Sequence, residues 1–527
     1  MPYWNIILGG QSSCMMIPKR ISSYLKNRFA CHRLLALARE ESLFLMKKKL
    51  KVFKPAVFIL LLYTICSIYN ISTAQIISSP YSRYGIGDIG GKGFGQNFAM
   101  GGTSIALQND SSHMFFINTI NPASYSNFRL TAAELGANIS LTQLQSASAK
   151  QNVNNASLAY LSLAIPLKKW WGASVGLIPY SSVGYKVSDH QEISNIGGVD
   201  FIYEGFGGIN QFYLGNGIKP LYGLPGAYMK SRKYQRLKET QNFAKNNRIL
   251  KRKKALQAFS IGFNVSYMFG NIDNIRRSVF PNSNKFFNTR SGTTTRVGDV
   301  YFDYGAQYAY TIDSINGRDL KENVKLLFGA TFANQTPLTA KIDSLSYTYI
   351  TSYNYEIVKD TIQNVQNVKG QIQFPLSFGV GLGIKKGDRL LIAGDFRIRN
   401  WSTFKAFNKS QNLKNSTSIT LGAQYVPNSK ANGKGSYAKR INYRIGLHYT
   451  DTPIELKNTQ LKEYSLTIGG GFPVGRSFLL QNFSMVNIGV ELGQRGTTAN
   501  GLIKEQFIRG TVGFTINDRW FVKPKFD

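Results

Sequence analysis

Cysteine is almost absent from this sequence. The 527 residues contain only Cys14, Cys31 and Cys66, and none follows residue 74. The long remainder of the chain therefore cannot form a disulfide or a thiolate metal site.

Catalytic and cofactor-binding signatures are also missing. The chain has four histidines, and no two of them stand at a metal-binding spacing. It contains no G-x-S-x-G nucleophile motif and no phosphate-binding loop. The glycine-rich stretch YGIGDIGGKGFG lacks the strand-to-helix context of a dinucleotide site. We therefore expect no enzyme, no catalytic residue, no metal and no cofactor.

Acidic residues are few. There are 28 Asp and Glu against 63 Lys and Arg, which gives a formal charge of +35. After residue 74 there are 26 Asp and Glu against 52 Lys and Arg. A balance this basic suggests nucleic acid or an anionic membrane surface as a partner.

The sequence before residue 75 predicts secretion. MKKKLKVFK at 46–54 is followed by an apolar run of about 15 residues and then by NISTAQ, with small residues at Ser72 and Ala74. This is the pattern of a signal peptide, predicted over 46–74 with cleavage before Gln75. An uncleaved helical anchor is the alternative, although the run is shorter than the ~20 residues that span a bilayer.

Residues 1–45 are interpreted as an extension from a misplaced translation start. Nucleic acid is not expected as a partner of an exported protein.

No apolar run after Gln75 is long enough for a membrane helix, but two-residue alternation recurs. In INYRIGLHYT (441–450), Tyr443, Ile445, Leu447 and Tyr449 alternate with polar or small residues. The same pattern occurs in LTAAELGANISLT, SIGFNVSYMFG and FIRGTVGFTI. Such segments predict strands with one apolar face and one polar face.

Strand length separates two all-β folds. A soluble β-sandwich also alternates, but its strands are mostly 5–6 residues long, whereas these segments run to about 10–15. Aromatic residues, Trp401 among them, stand near their ends, as in the interfacial girdles of outer-membrane barrels. We therefore predict an all-β transmembrane antiparallel β-barrel of about 14 strands with an N-terminal plug segment. The predicted strands are 130–143, 155–166, 171–184, 200–214, 257–270, 297–311, 322–336, 371–386, 388–404, 415–426, 439–451, 462–474, 484–496 and 503–516.

This topology assigns the remaining segments. The barrel occupies 130–516, the plug 75–129, and a hairpin beyond the membrane is predicted near 344–358. With both barrel ends in the periplasm, the tail 517–527 and an insertion at 215–256 are periplasmic. Within the insertion, residues 230–254 carry eleven Lys or Arg and one acid, Glu239. They are interpreted either as a solvated helical arm or as a docking site for a lipid surface or for a periplasmic or outer-membrane protein.

The plug carries a family resemblance. FAMGGTSIALQNDSSHMFFINTINPAS, which ends near Asn121-Pro122-Ala123, resembles the N-terminal signature of the FadL/TodX family of outer-membrane hydrophobic-compound transporters. The resemblance implies localisation in the bacterial outer membrane. It also implies passive diffusion of a hydrophobic small molecule, such as a long-chain fatty acid, through a plugged barrel. The barrel also resembles the PorV-type component of secretion systems, which binds proteins.

Charged residues at inward positions form the candidate site. A charge facing lipid costs about 2–4 kcal/mol near the membrane midplane, so strand arginines should face the lumen. They could bind a ligand carboxylate through charge-assisted hydrogen bonds, or pair with Asp395 and Glu491 to fill the lumen. Residues of the plug could line an apolar path or simply anchor it. The candidate ligand-binding residues are Phe98, Met100, Phe115, Phe116, Asn121, Arg397, Arg399, Arg444 and Arg509.

Two functions remain open from the sequence. The chain is either a transporter of hydrophobic compounds or a non-transporting barrel scaffold of an outer-membrane secretion or assembly complex. Burial of apolar ligand surface, worth about 25 cal/mol per Å², would drive binding in the first case. Partner proteins would bind the rims in the second.

Overall fold

The computed structural model describes residues 78–518 except 91, 110–115, 282–284, 316–317, 354, 430, 432–435 and 478–481. The predicted signal peptide, the extension before it and the tail from residue 519 lie outside the described residues. None of the helices in these ranges is long and apolar enough to cross a membrane.

Long antiparallel strands form most of the described chain. They are β1 (Thr131–Gln145), β2 (Lys150–Lys168), β3 (Trp171–Ile193), β4 (Gly197–Ile218), β5 (Ser260–Val279), β6 (Asn288–Ile315), β7 (Arg318–Ala333), β8 (Thr336–Ser352), β9 (Tyr355–Phe374), β10 (Ser377–Lys386), β11 (Leu390–Arg399), β12 (Ser416–Tyr425), β13 (Asn442–Leu456), β14 (Thr459–Ser477), β15 (Asn482–Arg495) and β16 (Lys504–Asp518).

The sheet closes into a barrel. β16 pairs with β1 from Lys504 opposite Gln145 to Asp518 opposite Thr131. Fourteen strands form the wall, namely all of the above except β8 and β9. Each predicted strand overlaps one wall strand, so the predicted closed antiparallel barrel of about 14 strands is confirmed.

β8 and β9 form a hairpin that extends beyond the wall. β8 follows β7 after two residues and pairs with the distal half of β6, from Val297 opposite Ala340 to Asn288 opposite Tyr349. β9 pairs with β8 and returns the chain to β10. The hairpin predicted near 344–358 is therefore the tip of a longer one.

The two ends of the barrel differ. The strand ends at Thr131 and Asp518 lie at one end, which we call the terminal rim; the β8–β9 hairpin lies at the other, the loop rim. Between β4 and β5 the chain leaves the terminal rim and forms three helices, α2 (Leu224–Met229), α3 (Arg232–Glu239) and α4 (Phe243–Leu256). A short helix, α5 (Tyr437–Arg440), precedes β13.

Side-chain direction follows the predicted alternation. On β13, Ile445 and Leu447 point outward and are 50% and 53% exposed. Asn442 and Arg444 point inward and are buried. The outer surface of the wall is consequently apolar, whereas its inner surface carries polar, small and, in part, buried apolar side chains.

An apolar cluster lies inside the barrel toward the loop rim. Trp401 is 1% exposed there and packs against Phe404, with ring centroids 5.5 Å apart. The expectation that Trp401 belongs to an outward aromatic girdle is therefore wrong, because the chain turns inward in a short 3₁₀ segment after β11. Tyr425 and Tyr443, by contrast, face outward.

The described residues among 78–128 precede the barrel and contain little regular structure. They include a 3₁₀ turn at Pro80–Arg83, a two-residue strand at Asp88–Ile89, helix α1 (Gly95–Phe98) and a second 3₁₀ turn at Pro122–Asn127. We call residues 78–128 the luminal segment, because their contacts place them inside the barrel.

Candidate functional site

The luminal segment contacts strands on different sides of the wall. The Thr467 hydroxyl on β14 donates a hydrogen bond to the Ala99 carbonyl at 3.2 Å. The Gln307 amide on β6 donates to the Ile105 carbonyl at 2.9 Å. Asp88–Ile89 pairs with β3. Only a chain inside the lumen can contact all of these strands.

Glycines on the inner wall allow the segment's backbone to approach directly. A Cβ atom added at Gly329 would lie 2.1 Å from the Ile105 carbonyl oxygen, and one at Gly446 would lie 2.2 Å from the Gly101 nitrogen. At Gly172 it would lie 2.0 Å from a backbone oxygen of the segment. No heavier side chain fits these positions, so the small inward residues of the strands form a floor on which the segment lies.

Asn121 connects the segment to the wall. Its side-chain amide donates to the carbonyls of Ile105, Ala306 and Ala330 at 2.8, 3.2 and 3.3 Å. Its side-chain oxygen accepts from the Ala123 N–H at 3.2 Å and caps the 3₁₀ turn that Pro122 begins. Asn121 is fully buried, and these contacts hold the segment against the wall.

Two wall carboxylates accept hydrogen bonds from the segment's backbone. Asp395 on β11 accepts from the N–H groups of Ser104 and Ile105 at 2.6 and 2.9 Å. Glu134 on β1 accepts from the Ile117 N–H at 3.0 Å. Each of these two acidic side chains therefore holds one stretch of the segment. Asp395 thus binds the segment, rather than serving mainly to neutralise an arginine.

A charged cluster fastens the middle of the segment. Lys92 forms ion pairs with Glu463, at 3.1 Å, and with Glu491. Arg509 pairs with the same two carboxylates at 3.0 and 3.6 Å. Its guanidinium also lies over the Phe507 ring, 3.6 Å from the centroid. The expected pairing of Glu491 with a lumen arginine is present, and a lysine from the segment completes it.

A second charged cluster fastens the start of the segment. Arg495 on β15 contacts Asp88 and Glu505, each at 2.7 Å, and donates to the Ser79 hydroxyl at 2.6 Å. The guanidinium also lies 5.7 Å from the centroid of the Tyr81 ring. Arg495 is 7% exposed, and its partners come from both the segment and the wall.

Arg444 donates hydrogen bonds to uncharged side chains. It donates to the side-chain oxygens of Gln424 and Asn487 at 2.8 and 2.7 Å, and to that of Gln96 in the segment at 3.3 Å. The side chain is 3% exposed. These partners occupy the guanidinium that sequence reasoning assigned to a ligand.

The candidate apolar residues of the segment are packed. Met100 and Phe116 lie in one cluster with Ala106, Leu107 and Leu391. Phe98 lies against Gly489. Phe115 is outside the described residues. A pocket beside this cluster, lined in part by Leu107, Phe116 and Leu391, has a volume of about 80 Å³, below the 300–1,000 Å³ of typical ligand sites.

Arg397 and Arg399 are the exceptions among the candidates. Both are partly exposed on β11 and take no part in the hydrogen bonds by which the described residues fix the segment. The neighbours of Arg397 include the charged residues Arg399 and Asp395 and the aromatic residues Tyr180 and Tyr301. The structure therefore divides the proposed arginine group: Arg444 and Arg509 hold neighbouring residues, whereas this pair faces an aromatic part of the lumen.

Sequence reasoning missed several residues that fix the segment. Lys92, Glu463, Arg495 and Glu505 were not singled out. The alternation of Glu463 with Tyr464 was a usable signal for its inward direction. No comparable signal existed for Lys92, because the segment has no regular period.

Together these features define a closed antiparallel barrel whose lumen contains a hydrogen-bonded N-terminal segment. The family model named BamG matches residues 53–227 and 252–527, so the chain belongs to the BamG family. No curated protein matches the chain in a sequence comparison.

Several solved barrels are similar to this chain. A Pseudomonas aeruginosa FadL homologue has a TM-score of 0.47 and 10% identity, covering 85% of this chain and 100% of that one. The Pseudomonas putida toluene transporter TodX has a TM-score of 0.46 and 14% identity, covering 82% of this chain and 100% of that one. The CymD monoaromatic hydrocarbon channel has a TM-score of 0.44 and 12% identity, covering 83% of this chain and 99% of that one. FadL-type proteins are thus among the similar barrels, while the family that matches is BamG.

Proposed function

We propose that the barrel spans the bacterial outer membrane with its terminal rim in the periplasm. The outward apolar side chains of the wall support this placement, because soluble proteins rarely expose contiguous apolar patches above a few hundred Å². Closure of the sheet leaves its backbone groups paired along the wall, as hydrocarbon surroundings require.

We further propose that the chain is a non-transporting scaffold that holds a partner assembly at this membrane. The observation that carries this proposal is the fastening of the luminal segment. Two ion clusters, two backbone-binding carboxylates and the glycine floor all fix residues 79–125 to the wall. A segment that moved to admit cargo would leave buried charges unpaired, at a cost of about 3–5 kcal/mol for each broken pair.

A disulfide across the lumen tests the scaffold. The hydroxyls of Thr103 and Thr420 lie 3.2 Å apart, so Thr103→Cys with Thr420→Cys can cross-link the segment to β12 without a large backbone shift. A scaffold should retain full complementation of a deletion strain with the bond formed. Loss of complementation that a reductant restores would contradict the proposal, and Thr103→Ser with Thr420→Ser is the matched control.

Passage of a hydrophobic anion is a second candidate, supported by Arg397 and Arg399. These guanidiniums are not used to hold the segment, and the apolar cluster around Tyr301 and Phe374 lies on the loop-rim side of them. A carboxylate could bind the arginines while its chain packs against these rings. Uptake of a labelled long-chain fatty acid should then fall at least tenfold in Arg397→Ala with Arg399→Ala. Equal uptake in the deletion strain and the wild type would reject this candidate.

A further inference from the structure

The insertion at the terminal rim is a folded, strongly basic unit. We call residues 219–259 the basic arm; its helices are α2, α3 and α4. Between residues 230 and 254 it carries eleven Lys or Arg and only Glu239. Among the described residues, none of these eleven forms an ion pair.

A small polar and aromatic core shapes the arm. Tyr228 is 6% exposed and donates to the Asn246 side chain at 2.6 Å. Its ring meets Tyr234 edge-on at 5.5 Å, and Lys253 lies 5.6 Å from the centroid of the Tyr228 ring. The helices therefore pack together, and most of the basic side chains remain on the surface.

Large apolar side chains are exposed among these charges. Met229, Phe243 and Leu256 are 43%, 55% and 48% exposed. A helical surface that mixes Lys and Arg with exposed apolar residues is typical of segments that lie in a membrane interface.

The arm begins beside two tryptophans of the terminal rim. Trp170 and Trp171 stack with centroids 6.0 Å apart, and the Lys219 N–H donates to the Trp170 carbonyl at 2.8 Å. Tryptophan is enriched at the boundary between bilayer and water. In a barrel that spans the membrane, the arm therefore starts at the level of the lipid headgroups.

The arm also falls where the family match is interrupted. The BamG model passes over residues 228–251, and these residues contain most of the arm's charge. The strands on either side of it pair along their full lengths without it. The charge thus belongs to a separable unit, since barrel pairing does not depend on it.

We propose that the basic arm binds anionic phospholipid headgroups of the adjacent periplasmic leaflet. Its lysines and arginines pair with the phosphates, and Phe243, Leu256 and Met229 insert at the headgroup boundary. The proposal rests on the membrane placement given above but not on the choice between scaffold and transporter. Charge complementarity and the position of the arm's root favour lipid over an acidic protein, which would not require the exposed apolar residues beside the rim.

Amide hydrogen exchange of the full chain in nanodiscs tests this binding. Discs of phosphatidylcholine alone are compared with discs containing 30% phosphatidylglycerol, a composition chosen as a probe. Exchange within residues 228–256 should slow about tenfold in the anionic discs, and 0.5 M salt should remove the difference, because salt screens exposed charges.

Two variants sharpen the test. Lys245→Gln, Arg248→Gln, Lys251→Gln and Arg252→Gln change exposed side chains outside the arm's core and should abolish the effect of lipid charge. Lys359→Gln with Lys369→Gln, at the loop rim, should leave it unchanged. Equal exchange in both lipids would overturn the proposal. Protection in neutral discs that appears only after addition of periplasmic protein would also overturn it and would favour an acidic protein.

Heat-modifiable mobility on gels distinguishes failure of the arm proposal from failure of the membrane placement. A folded, inserted barrel shows it in both lipids. If it is absent, the placement fails; if it is present without arm protection, only the arm proposal fails.

Discussion

Individual inward residues explain how the luminal segment is held. Glycines let the segment's backbone contact the wall, carboxylates accept its N–H groups, and Lys92 supplies a positive charge between two glutamates. Each of these contacts joins the wall to a specific part of the segment. Residue chemistry in the lumen therefore fixes a chain in place.

Replacing one floor glycine should loosen the luminal segment. In Gly446→Ala the new methyl group would overlap the backbone of Gly101, and overpacking of this kind costs about 1–3 kcal/mol. Trypsin should then cleave at Lys92 faster in the detergent-solubilised variant than in the wild type.

Gly510→Ala is the matched control for this change. A Cβ at Gly510 would meet nothing closer than 4.0 Å, so cleavage at Lys92 should stay at the wild-type rate. Resistance of Gly446→Ala equal to that of the control would show that the floor is not tightly occupied.

Removing the cation of the first cluster should destabilise the protein. Lys92→Met leaves two buried carboxylates with Arg509 as their remaining cation, which should lower the free energy of unfolding by about 3–5 kcal/mol. Urea unfolding in detergent measures the change. Adding Glu491→Gln should recover part of the loss, whereas no loss in the single variant would mean that the cluster is solvated.

At the scale of elements, the alternation of side chains predicted the wall. Wall strands such as β13 have an apolar outer face and an inner face with polar or small residues, and this period of two can be read along a single strand. Such a pattern depends only on neighbouring positions along one strand, so it can be read without the partner strands.

Other elements carried weaker signals. The bounds of the β8–β9 hairpin could not be predicted, because β9 is exposed along most of its length and does not alternate between two environments. The seat of the luminal segment was also unpredictable. It depends on which glycine of a distant strand faces which backbone atom, and a single sequence does not state that pairing.

The hairpin should be dispensable for the barrel. Within the described part of the chain, β9 pairs only with β8, apart from Ile372 opposite Ala406 near its base. Replacing residues 340–370 with a short turn should therefore preserve heat-modifiable mobility. If partners bind the loop rim, their co-purification should fall in this variant. Loss of the folded barrel would show that the hairpin is needed for closure.

At the scale of the whole molecule, the barrel and the segment form one folded unit. The wall provides an apolar exterior and a set of inward anchoring groups, and the segment lies within the space that fourteen strands enclose. The sequence indicated both parts and the resemblance to FadL-type barrels. The sequence alone could not show whether the segment moves aside or stays fixed. The same charged residues are compatible with both cases until their partners in the structure are known.

Ion conductance across planar bilayers tests the fixed segment most directly. The intact barrel should show no steady conductance, and a variant without residues 79–128 should form open pores, because the emptied lumen would fill with water. Steady conductance of the intact protein, or equal conductance with and without the segment, would contradict the account.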